Sequence, residues 1–447
     1  MLRSFRFRHF WKNMNSEILH PPKSVRGLKK LDKELFKKEV SVPVLTFPEE
    51  NSNKILPSLK KFLLKMEKMK PVRSSPIEKH REVLLHPLAV QGWSSLPIDT
   101  LSSLNVKEEN YSTGKLNLTY DNWRADELLK SILPENEEGV SSYSKIGHII
   151  HINLRDQLLP FKEIIGEILL DKIPGCESVV NKTNSIDNTF RNFQLELICG
   201  KEDYLVEVKE NGVIYEFDFS KVYWNPRLST EHERIVKLLK PNDVLYDVFG
   251  GVGPFSVPAA KKKCRVLGND LNPESFKWLN RNVTKNKCKD IKTFNKDGKD
   301  FILEDIKEDL MKVWEKEDDS FSIHITMNLP AMAIEFLHHF RGLFRNEQNL
   351  KDTNNRVFPL IHVYTFIKGD NSCPEETKKG VRKQTEDHLG VPIPDKDLEG
   401  LYFVRNVAPN KDMYRVSFFL NDDILFEETR KRKSSTELCP NESKVLC

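Results

Sequence analysis

Two glycines and one acidic residue stand at a spacing that is typical of nucleotide-binding sites. The stretch YDVFGGVGPFSVPAAKK, residues 246–262, runs from an apolar segment through Gly251 and Gly253 into a helix-like segment. Glycine lets the backbone bend there and lets a ligand approach closely, and the following helix presents its N-terminus to that ligand. Asp270 closes the next apolar segment, CRVLGND. An acid at that distance is placed to hold the hydroxyl groups of a nucleotide ribose.

The loop favours S-adenosylmethionine over NAD as the cofactor. It reads GxGPF and has no third glycine to receive a pyrophosphate, and Pro254 removes a backbone donor at the start of the helix. A phosphate cradle needs such donors, whereas a sulfonium–adenosine ligand does not. A turn without any ligand is the alternative, because GxG segments occur in many α/β loops.

A second candidate group follows a later apolar segment. NLPAMAIEFL begins with Asn328 and contains Pro330. Asn328 offers a carbonyl and an amide in the crevice beyond the carboxyl ends of the strands, where ligands of open sheets bind. Amino-methyltransferases commonly place an Asn-Pro segment there to hold the acceptor nitrogen, so we predict that Asn328 and Pro330 are catalytic. A strand exit with no chemical role is the alternative.

Alternating strands and helices from Val236 onwards would position these residues. The predicted strands are DVLYDVFG, CRVLGND, IKTFNKD, FSIHITMNL and PLIHVYTFIKG. This alternation predicts an α/β fold with a doubly wound, Rossmann-like parallel sheet, and LYFVRNVAP and MYRVSFFL add a terminal antiparallel hairpin. Upstream, VEVKENGVIYEF predicts another hairpin, with Asn211 and Gly212 at its tip.

Composition divides the chain into predicted regions. Residues 1–75 are expected to be a basic, partly ordered extension, and residues 76–145 a small domain. A β-rich α+β domain is predicted for 146–235, the Rossmann-like domain for 236–430 and a disordered tail for 431–447. No apolar run is long enough to span a bilayer, so we expect no membrane association.

Charge and cysteine content narrow the possible compartments. The formal net charge of +4 over 447 residues says little about partners. Seven cysteines stand far apart without a CxxC pair, which argues against a metal site or a disulfide framework and for a reducing compartment. The start, MLRSFRFRHFWKN, is basic and aromatic with no acid before Glu17, as in mitochondrial transit peptides; a disordered basic tail is the alternative. Met14 offers a second start that omits this stretch.

Several segments together resemble the archaeal and eukaryotic tRNA (guanine-37-N1)-methyltransferase family. They include VYWNPRLSTEHERI, DVFGGVGPFSVP, NDLNPES, KDGKDF, MNLPAMAIEFL, YDNWRADELL and LYFVRNVAPNKDMYRVSF. The resemblance covers residues 80–422, and Gly250 departs from the alanine that is usual there. It implies a class I methyltransferase domain, S-adenosylmethionine as methyl donor, N1 of guanosine 37 in tRNA as acceptor, and a small N-terminal domain that reads the outer corner of the tRNA.

The resemblance also implies roles for individual residues. The proposed general base is Glu231, and the proposed transition-state arginine is Arg191. The implied cofactor contacts, beside Gly251 and Gly253 of the loop, are His232, Asp270, Leu271, Asp297, Gly298 and Asn328, and the candidate substrate-binding residues are Tyr223, Asn225 and Arg227. From the residue pattern alone, Thr230 and Glu233 predict a capping box, which would make Glu231 only an acid in the first turn of a helix.

Two other functions stay open. The related enzyme that transfers the aminocarboxypropyl arm of S-adenosylmethionine in wybutosine synthesis usually has GxGYF and DWNP, where this chain has GPF and DLNP. A non-catalytic tRNA-binding protein is disfavoured by the intact glycine loop together with Asp270 and the NLP segment. We expect a monomer that is found in the mitochondrial matrix and, through initiation at Met14, in the cytoplasm and nucleus.

Overall fold

The computed structural model describes residues 17–135, 143–186, 193–315, 320–352, 356–369 and 374–427. The chain divides into two compact units. Unit 1 comprises Met1–Ile186 and Phe193–Tyr204, and unit 2 comprises Asp187–Asn192 and Leu205–Cys447. The basic segment 1–13, Met14 and the tail 431–447 lie outside the described residues.

An antiparallel sheet opens unit 1. Its strands are β1 (Lys38–Pro48), β2 (Val72–Ser74), β3 (His80–Leu84) and β4 (Tyr111–Leu118), in the order β2-β3-β1-β4. The helices α1 (Ser52–Leu59) and α2 (Ile98–Ser103) contribute to a core with this sheet. The division of the chain at residue 75 is therefore wrong, because β1 pairs with β3 and β4 across it. The apolar run in VSVPVLTF drives this folding, although the surrounding segment is rich in lysine and proline.

A second sheet completes unit 1. Its strands are β5 (Ser144–Ile146), β6 (Ile149–Ile152), β7 (Ser178–Ile186) and β8 (Phe193–Gly200), in that order across the sheet. The helices α3 (Ala125–Ile132) and α4 (Lys162–Lys172) bury their apolar faces in a core that also includes Ile150 and Val179 of this sheet. Since unit 1 ends at Tyr204, the region predicted as one domain over 146–235 is shared between the two units.

Unit 2 begins with the predicted hairpin of β9 (Leu205–Glu210) and β10 (Val213–Asp218). Asn211 and Gly212 at its tip have φ values of 48° and 76°, which confirms the predicted turn with two left-handed residues. The hairpin packs against a later helix, since Asn282 Oδ1 accepts a hydrogen bond from Glu216 N at 2.8 Å.

The main sheet of unit 2 confirms the predicted α/β fold. Its strands are β11 (Val244–Asp247), β12 (Arg265–Asn269), β13 (Ile291–Phe294), β14 (Ile323–Met327), β15 (Leu360–Ile367), β16 (Leu398–Ala408) and β17 (Lys411–Phe419). The order is β13-β12-β11-β14-β15-β17-β16, with β11 to β15 parallel and β17 antiparallel to both of its neighbours. The strand order reverses between β11 and β14, which marks the crevice where open sheets bind ligands.

Helices cover both faces of this sheet. They are α5 (Ser229–Leu238), α6 (Ser256–Lys261), α7 (Pro273–Lys285), α8 (Gly298–Asp300), α9 (Lys307–Trp314), α10 (Pro374–Leu389) and α11 (Asp422–Leu425). A π-helical turn, Phe301–Ile306, joins α8 to α9. The stretch AMAIEFLHHFRGLF, which follows β14, forms a 3-10 helix over Ala333–His339. Two apolar clusters, one on each side of β11, fix the strands so that their carboxyl ends form one edge.

Candidate active site

Polar side chains collect at the carboxyl edge of the parallel strands. Asp270 directly follows β12, Asn328 directly follows β14, and Asp297 lies three residues after β13. Because these strands are parallel neighbours of β11 or of each other, their ends lie at the same edge of the sheet. The structure thus brings together the residues that the sequence pattern singled out on separate segments.

The glycine loop follows β11 at this edge of the sheet. Gly251 and Gly253 have φ values of 55° and 98°, in the left-handed region that favours glycine. A Cβ atom on Gly253 would lie 2.6 Å from Val257 Cγ2, whereas one on Gly251 would meet no atom within 4 Å. Gly251 therefore leaves open space above the loop, and Gly253 is required by both its conformation and its neighbours.

Asp270 is tied to the glycine loop. Its Oδ2 accepts a hydrogen bond from Gly251 N at 2.8 Å, and its Oδ1 accepts one from Asn272 N at 2.9 Å. Burial raises the pKa of Asp270 to about 6, although the hydrogen bonds it accepts oppose this shift. The residue as a whole is half-buried.

Apolar side chains also lie at this edge of the sheet, beyond Asp270. Leu271 is 47% exposed, so its side chain presents an apolar surface to solvent. A Cβ atom on Gly298 would lie 2.9 Å from Phe249 Cε1, so a larger residue would clash there. Asp297 caps α8, and its Oδ1 accepts a hydrogen bond from Lys299 N at 2.8 Å. The strand ends thus carry the exposed Leu271 after β12, and Asp297 and Gly298 after β13.

Asn328 carries an unused acceptor. Its Oδ1 is buried and has no hydrogen-bond partner within the described residues. Pro330, two residues later, accepts a hydrogen bond from Phe366 N at 3.1 Å through its carbonyl, which fixes this segment against β15. A buried amide oxygen without a partner is costly, so the site favours a ligand that donates a hydrogen bond to it.

His232 is held by a carboxylate. Its Nδ1 donates a hydrogen bond to Glu210 Oε1 at 2.7 Å, and both side chains are buried. The imidazole ring also packs edge-on against Phe255, with 5.0 Å between the ring centroids. Since Phe255 lies directly between the glycine loop and α6, these contacts connect His232 to that loop.

Glu231 points inward rather than to solvent. Its side chain is 3% exposed, and its Oε1 accepts hydrogen bonds from Arg415 Nη1 at 2.9 Å and Tyr364 Oη at 3.0 Å. Its Oε2 accepts one from Arg234 Nη1 at 3.2 Å. Both carboxylate oxygens therefore have cationic or hydroxyl partners, and Arg415 neutralises the charge.

The predicted capping box is wrong. Helix α5 begins at Ser229, immediately after the 3-10 turn Pro226–Leu228, so Thr230 is already its second residue. Glu233 instead pairs with Lys237 at 2.8 Å, one turn further along the helix. The turn shifts the start of the helix, which places Glu231 on its buried face.

The candidate substrate-binding residues form a surface segment before α5. Tyr223 is 53% exposed, and its hydroxyl accepts a hydrogen bond from Asn225 Nδ2 at 3.3 Å. Asn225 Oδ1 accepts another from the backbone N of the exposed Arg227 at 3.1 Å. Asn272 Nδ2 donates to Lys221 O at 3.0 Å, which anchors this segment beside Asp270.

The sequence profile of the TRM5/TYW2 methyltransferase domain matches residues 206–369, and that of the TYW2 N-terminal domain matches residues 125–203. A tRNA (guanine(37)-N(1))-methyltransferase of Drosophila melanogaster is 57% identical over 97% of this chain and 95% of its own length. The chain belongs to the tRNA (guanine(37)-N(1))-methyltransferase family.

A mammalian relative supports the same assignment, and a solved structure shares the fold. A tRNA (guanine(37)-N(1))-methyltransferase of Mus musculus is 46% identical over 90% of this chain and 79% of its own length. The solved structure of Trm5b from Pyrococcus abyssi has a TM-score of 0.56 at 21% identity and covers 85% of this chain and 99% of that chain. At this identity the structure establishes a common fold.

Two buried polar residues at the strand ends were not among the predicted site residues. Asp247, at the end of β11, is fully buried and accepts hydrogen bonds from Ser256 Oγ at 2.6 Å and Thr326 Oγ1 at 2.9 Å. Asn269 donates through Nδ2 to Val248 O and Lys296 O, and its Oδ1 accepts from Lys296 N. Both stand at strand ends next to residues already singled out, so position alone could have indicated them.

Three further predictions concern Arg191, a metal site and a membrane span. Arg191 lies outside the described residues. Within the described ranges, no group of three or more His, Cys, Asp or Glu side chains is arranged to hold a metal ion. In the same part of the chain, no helix has the length and apolarity required to cross a membrane.

Proposed function

We propose that the protein transfers a methyl group from S-adenosylmethionine to N1 of guanosine 37 of tRNA, beside the anticodon. The observation that carries this function is the 57% identity, across almost the whole of both chains, to a tRNA (guanine(37)-N(1))-methyltransferase. The curated relatives from flies and mouse also support its place in the eukaryotic branch of an archaeal and eukaryotic family.

The described residues fit S-adenosylmethionine as the cofactor. The carboxylate of Asp270 can accept hydrogen bonds from the ribose hydroxyls, and the open space over Gly251 leaves room for the ribose. The exposed Leu271 offers an apolar surface to an adenine ring, and Asp297 and Gly298 follow β13 at the same edge of the sheet. His232 packs against Phe255 next to the glycine loop, and Gly253 fixes the conformation of that loop. The bound cofactor supplies a methyl group that is already activated by a positively charged sulfur.

The acceptor nitrogen needs help from the protein. Guanine N1 carries a proton at neutral pH and becomes nucleophilic only when that proton leaves. We assign proton removal to Glu231, orientation of the guanine edge to Asn328 and Pro330, and stabilisation of charge on O6 to Arg191. Asn328 Oδ1 can accept a hydrogen bond from an N–H group of the guanine. Tyr223, Asn225 and Arg227 are proposed to contact the tRNA.

Cofactor affinity is expected to fall as the pH drops below about 6. The ribose hydroxyls donate to a charged carboxylate, and the pKa of Asp270 is raised to about 6, so protonation begins well above its ordinary range. Calorimetric titration of the full-length protein with S-adenosylmethionine between pH 5 and pH 8 measures this. The variant Asp270→Asn should bind weakly and lose the pH dependence. A dependence that survives in Asp270→Asn would belong to another group, such as Asp247, whose pKa burial also raises to about 6.

Product analysis tests the function directly. Purified protein is incubated with a full-length tRNA transcript and S-adenosylmethionine that carries an isotopic label in its methyl group. Mass spectrometry of nuclease fragments should locate one labelled methyl group on N1 of guanosine 37. A matched transcript with adenosine at position 37 should remain unlabelled. Label at another nucleotide, or no label in the guanosine transcript, contradicts the proposal.

A second candidate function is transfer of the aminocarboxypropyl group. The match of residues 125–203 to the TYW2 N-terminal domain favours it, whereas the GPF and DLNP segments do not. Two cofactor preparations, one labelled in the methyl group and one in the carboxyl group, distinguish the two reactions. Methyl transfer brings only the methyl label to the tRNA, and aminocarboxypropyl transfer brings only the carboxyl label.

We further propose that the N-terminal domain contacts the outer corner of the tRNA. We also propose that the enzyme is a monomer. A third proposal is that the enzyme acts in more than one compartment. The basic segment before Glu17 supports import into the mitochondrial matrix, and Met14 supports a shorter cytoplasmic and nuclear form. Tagged Met14→Ala protein should move towards mitochondria, and an unchanged distribution contradicts the use of two starts.

A further inference from the structure

Arg405 lies in a partly covered position and forms no ion pair with another of the described residues. It lies on the edge strand β16, and its Nε donates a hydrogen bond only to the neighbouring Asn406 O, at 3.2 Å. Its Nη1 is buried and has no hydrogen-bond partner within the described residues. Arg415, on the adjacent strand, shows the usual arrangement, since it donates to the carboxylate of Glu231. A buried guanidinium nitrogen without an acceptor is costly, and Arg415 also has one, at Nε. Arg415 has the carboxylate of Glu231 to balance its charge, whereas Arg405 has no such group among the described residues, so an anionic ligand would stabilise Arg405.

The surroundings of Arg405 add a second cation and an aromatic ring. Burial lowers the pKa of Arg405, the nearby positive charge of Arg227 lowers it further, and Tyr223 opposes these effects. Arg227 and Tyr223 belong to the exposed segment before α5, which is anchored beside Asp270. Two guanidinium groups that repel each other, with an exposed ring next to them, form a site that an oxyanion would stabilise.

We propose that Arg405 and Arg227 together bind a phosphodiester group of the tRNA next to the nucleotide that receives the methyl group. This inference rests on the proposed function and adds Arg405 to the residues that bind the substrate. A guanidinium fork can donate two parallel hydrogen bonds to a phosphate, so a pair of arginines can bracket one group. The exposed ring of Tyr223 offers a stacking surface for an unpaired base beside that phosphate.

The test compares Arg405→Gln with the wild type in direct tRNA binding. Filter binding of a full-length transcript is measured at several salt concentrations. We expect affinity to fall on the order of tenfold and the slope of log K against log salt to decrease by about one, as for a lost phosphate contact. Arg405→Lys should retain the slope but only part of the affinity, because it keeps the charge and loses the fork. The control Arg281→Gln removes an exposed arginine that pairs with Glu216 and should change neither quantity.

Two further measurements separate this role from its alternatives. The carboxylate of S-adenosylmethionine is also an oxyanion, so calorimetry with the cofactor alone is performed on the same variants. If the variants bind the cofactor with unchanged affinity, the result supports a tRNA phosphate as the ligand of Arg405. If they bind the cofactor more weakly and tRNA normally, the proposed phosphate site is wrong. The melting temperature of Arg405→Gln should be equal to or above that of the wild type, because an unpaired charge is removed. A lower melting temperature with unchanged tRNA affinity would indicate a structural arginine and overturn the inference.

The outcome is independent of the test of the proposed function. The binding assay needs no methyl transfer, so failure of the wild type to methylate guanosine 37 leaves the comparison of variants intact. If the wild type methylates guanosine 37 while Arg405→Gln binds tRNA with unchanged affinity and salt slope, the function stands and the phosphate site is wrong.

Discussion

Replacement of Asn328 by alanine is expected to slow single-turnover methyl transfer by about 10²–10³-fold. The amide oxygen of Asn328 is buried without a partner, so the folded protein does not use it for its own stability. A substrate N–H group that donates to it would be oriented and polarised only while guanine is bound. The melting temperature should therefore remain near that of the wild type, or rise slightly. Rapid-quench measurement with excess enzyme and full-length tRNA gives the rate of the chemical step.

Asn269 provides the matched control for Asn328. Its side chain makes three hydrogen bonds that join the ends of β11, β12 and the segment after β13. Asn269→Ala should therefore lower the free energy of unfolding by about 1–3 kcal/mol. If Asn328→Ala has a lowered melting temperature and transfers methyl groups at the wild-type rate, it behaves as expected for a structural residue such as Asn269. That result would contradict a catalytic role for Asn328.

The parallel sheet was predictable because its signals are local. Each strand is a short apolar run, each helix follows within a few residues, and the alternation implies a doubly wound sheet. The hairpin tip at Asn211 and Gly212 was predictable for the same reason, since both residues tolerate positive φ. Asp270 and Asn328 could be placed at one edge because the ends of parallel strands share an edge.

Features that depend on distant pairing were not predictable from the sequence. Strand β1 lies in the middle of its sheet because it pairs with β3 and β4, whereas the composition of residues 1–75 indicated partial order. The environment of Glu231 depends on Arg415 and Tyr364, which lie on β17 and β15. The local pattern correctly indicated an acid in the first turn of a helix, but no spacing near Glu231 indicates these partners or its burial.

Replacement of Glu231 by glutamine is expected to affect both the rate and the stability. If Glu231 is the general base, Glu231→Gln should slow methyl transfer by about 10²–10⁴-fold. Its buried ion pair with Arg415 adds a second effect, because Glu231→Gln leaves the guanidinium buried without a counter-charge. The expected loss in free energy of unfolding is about 3–5 kcal/mol, well above the cost of removing an exposed acid from a first turn.

A double variant separates the two effects. Replacing Glu231 by glutamine and Arg415 by methionine removes both charges, so most of the lost stability should return. If Glu231 takes the N1 proton, the double variant should remain slow and its rate should rise with hydroxide concentration, since the proton leaves without help. If Glu231 serves only to anchor β17 to α5, the double variant should regain both its melting temperature and its single-turnover rate. Measuring both quantities on the two variants, at a temperature where each is folded, therefore decides whether this buried carboxylate is a base or a structural ion pair.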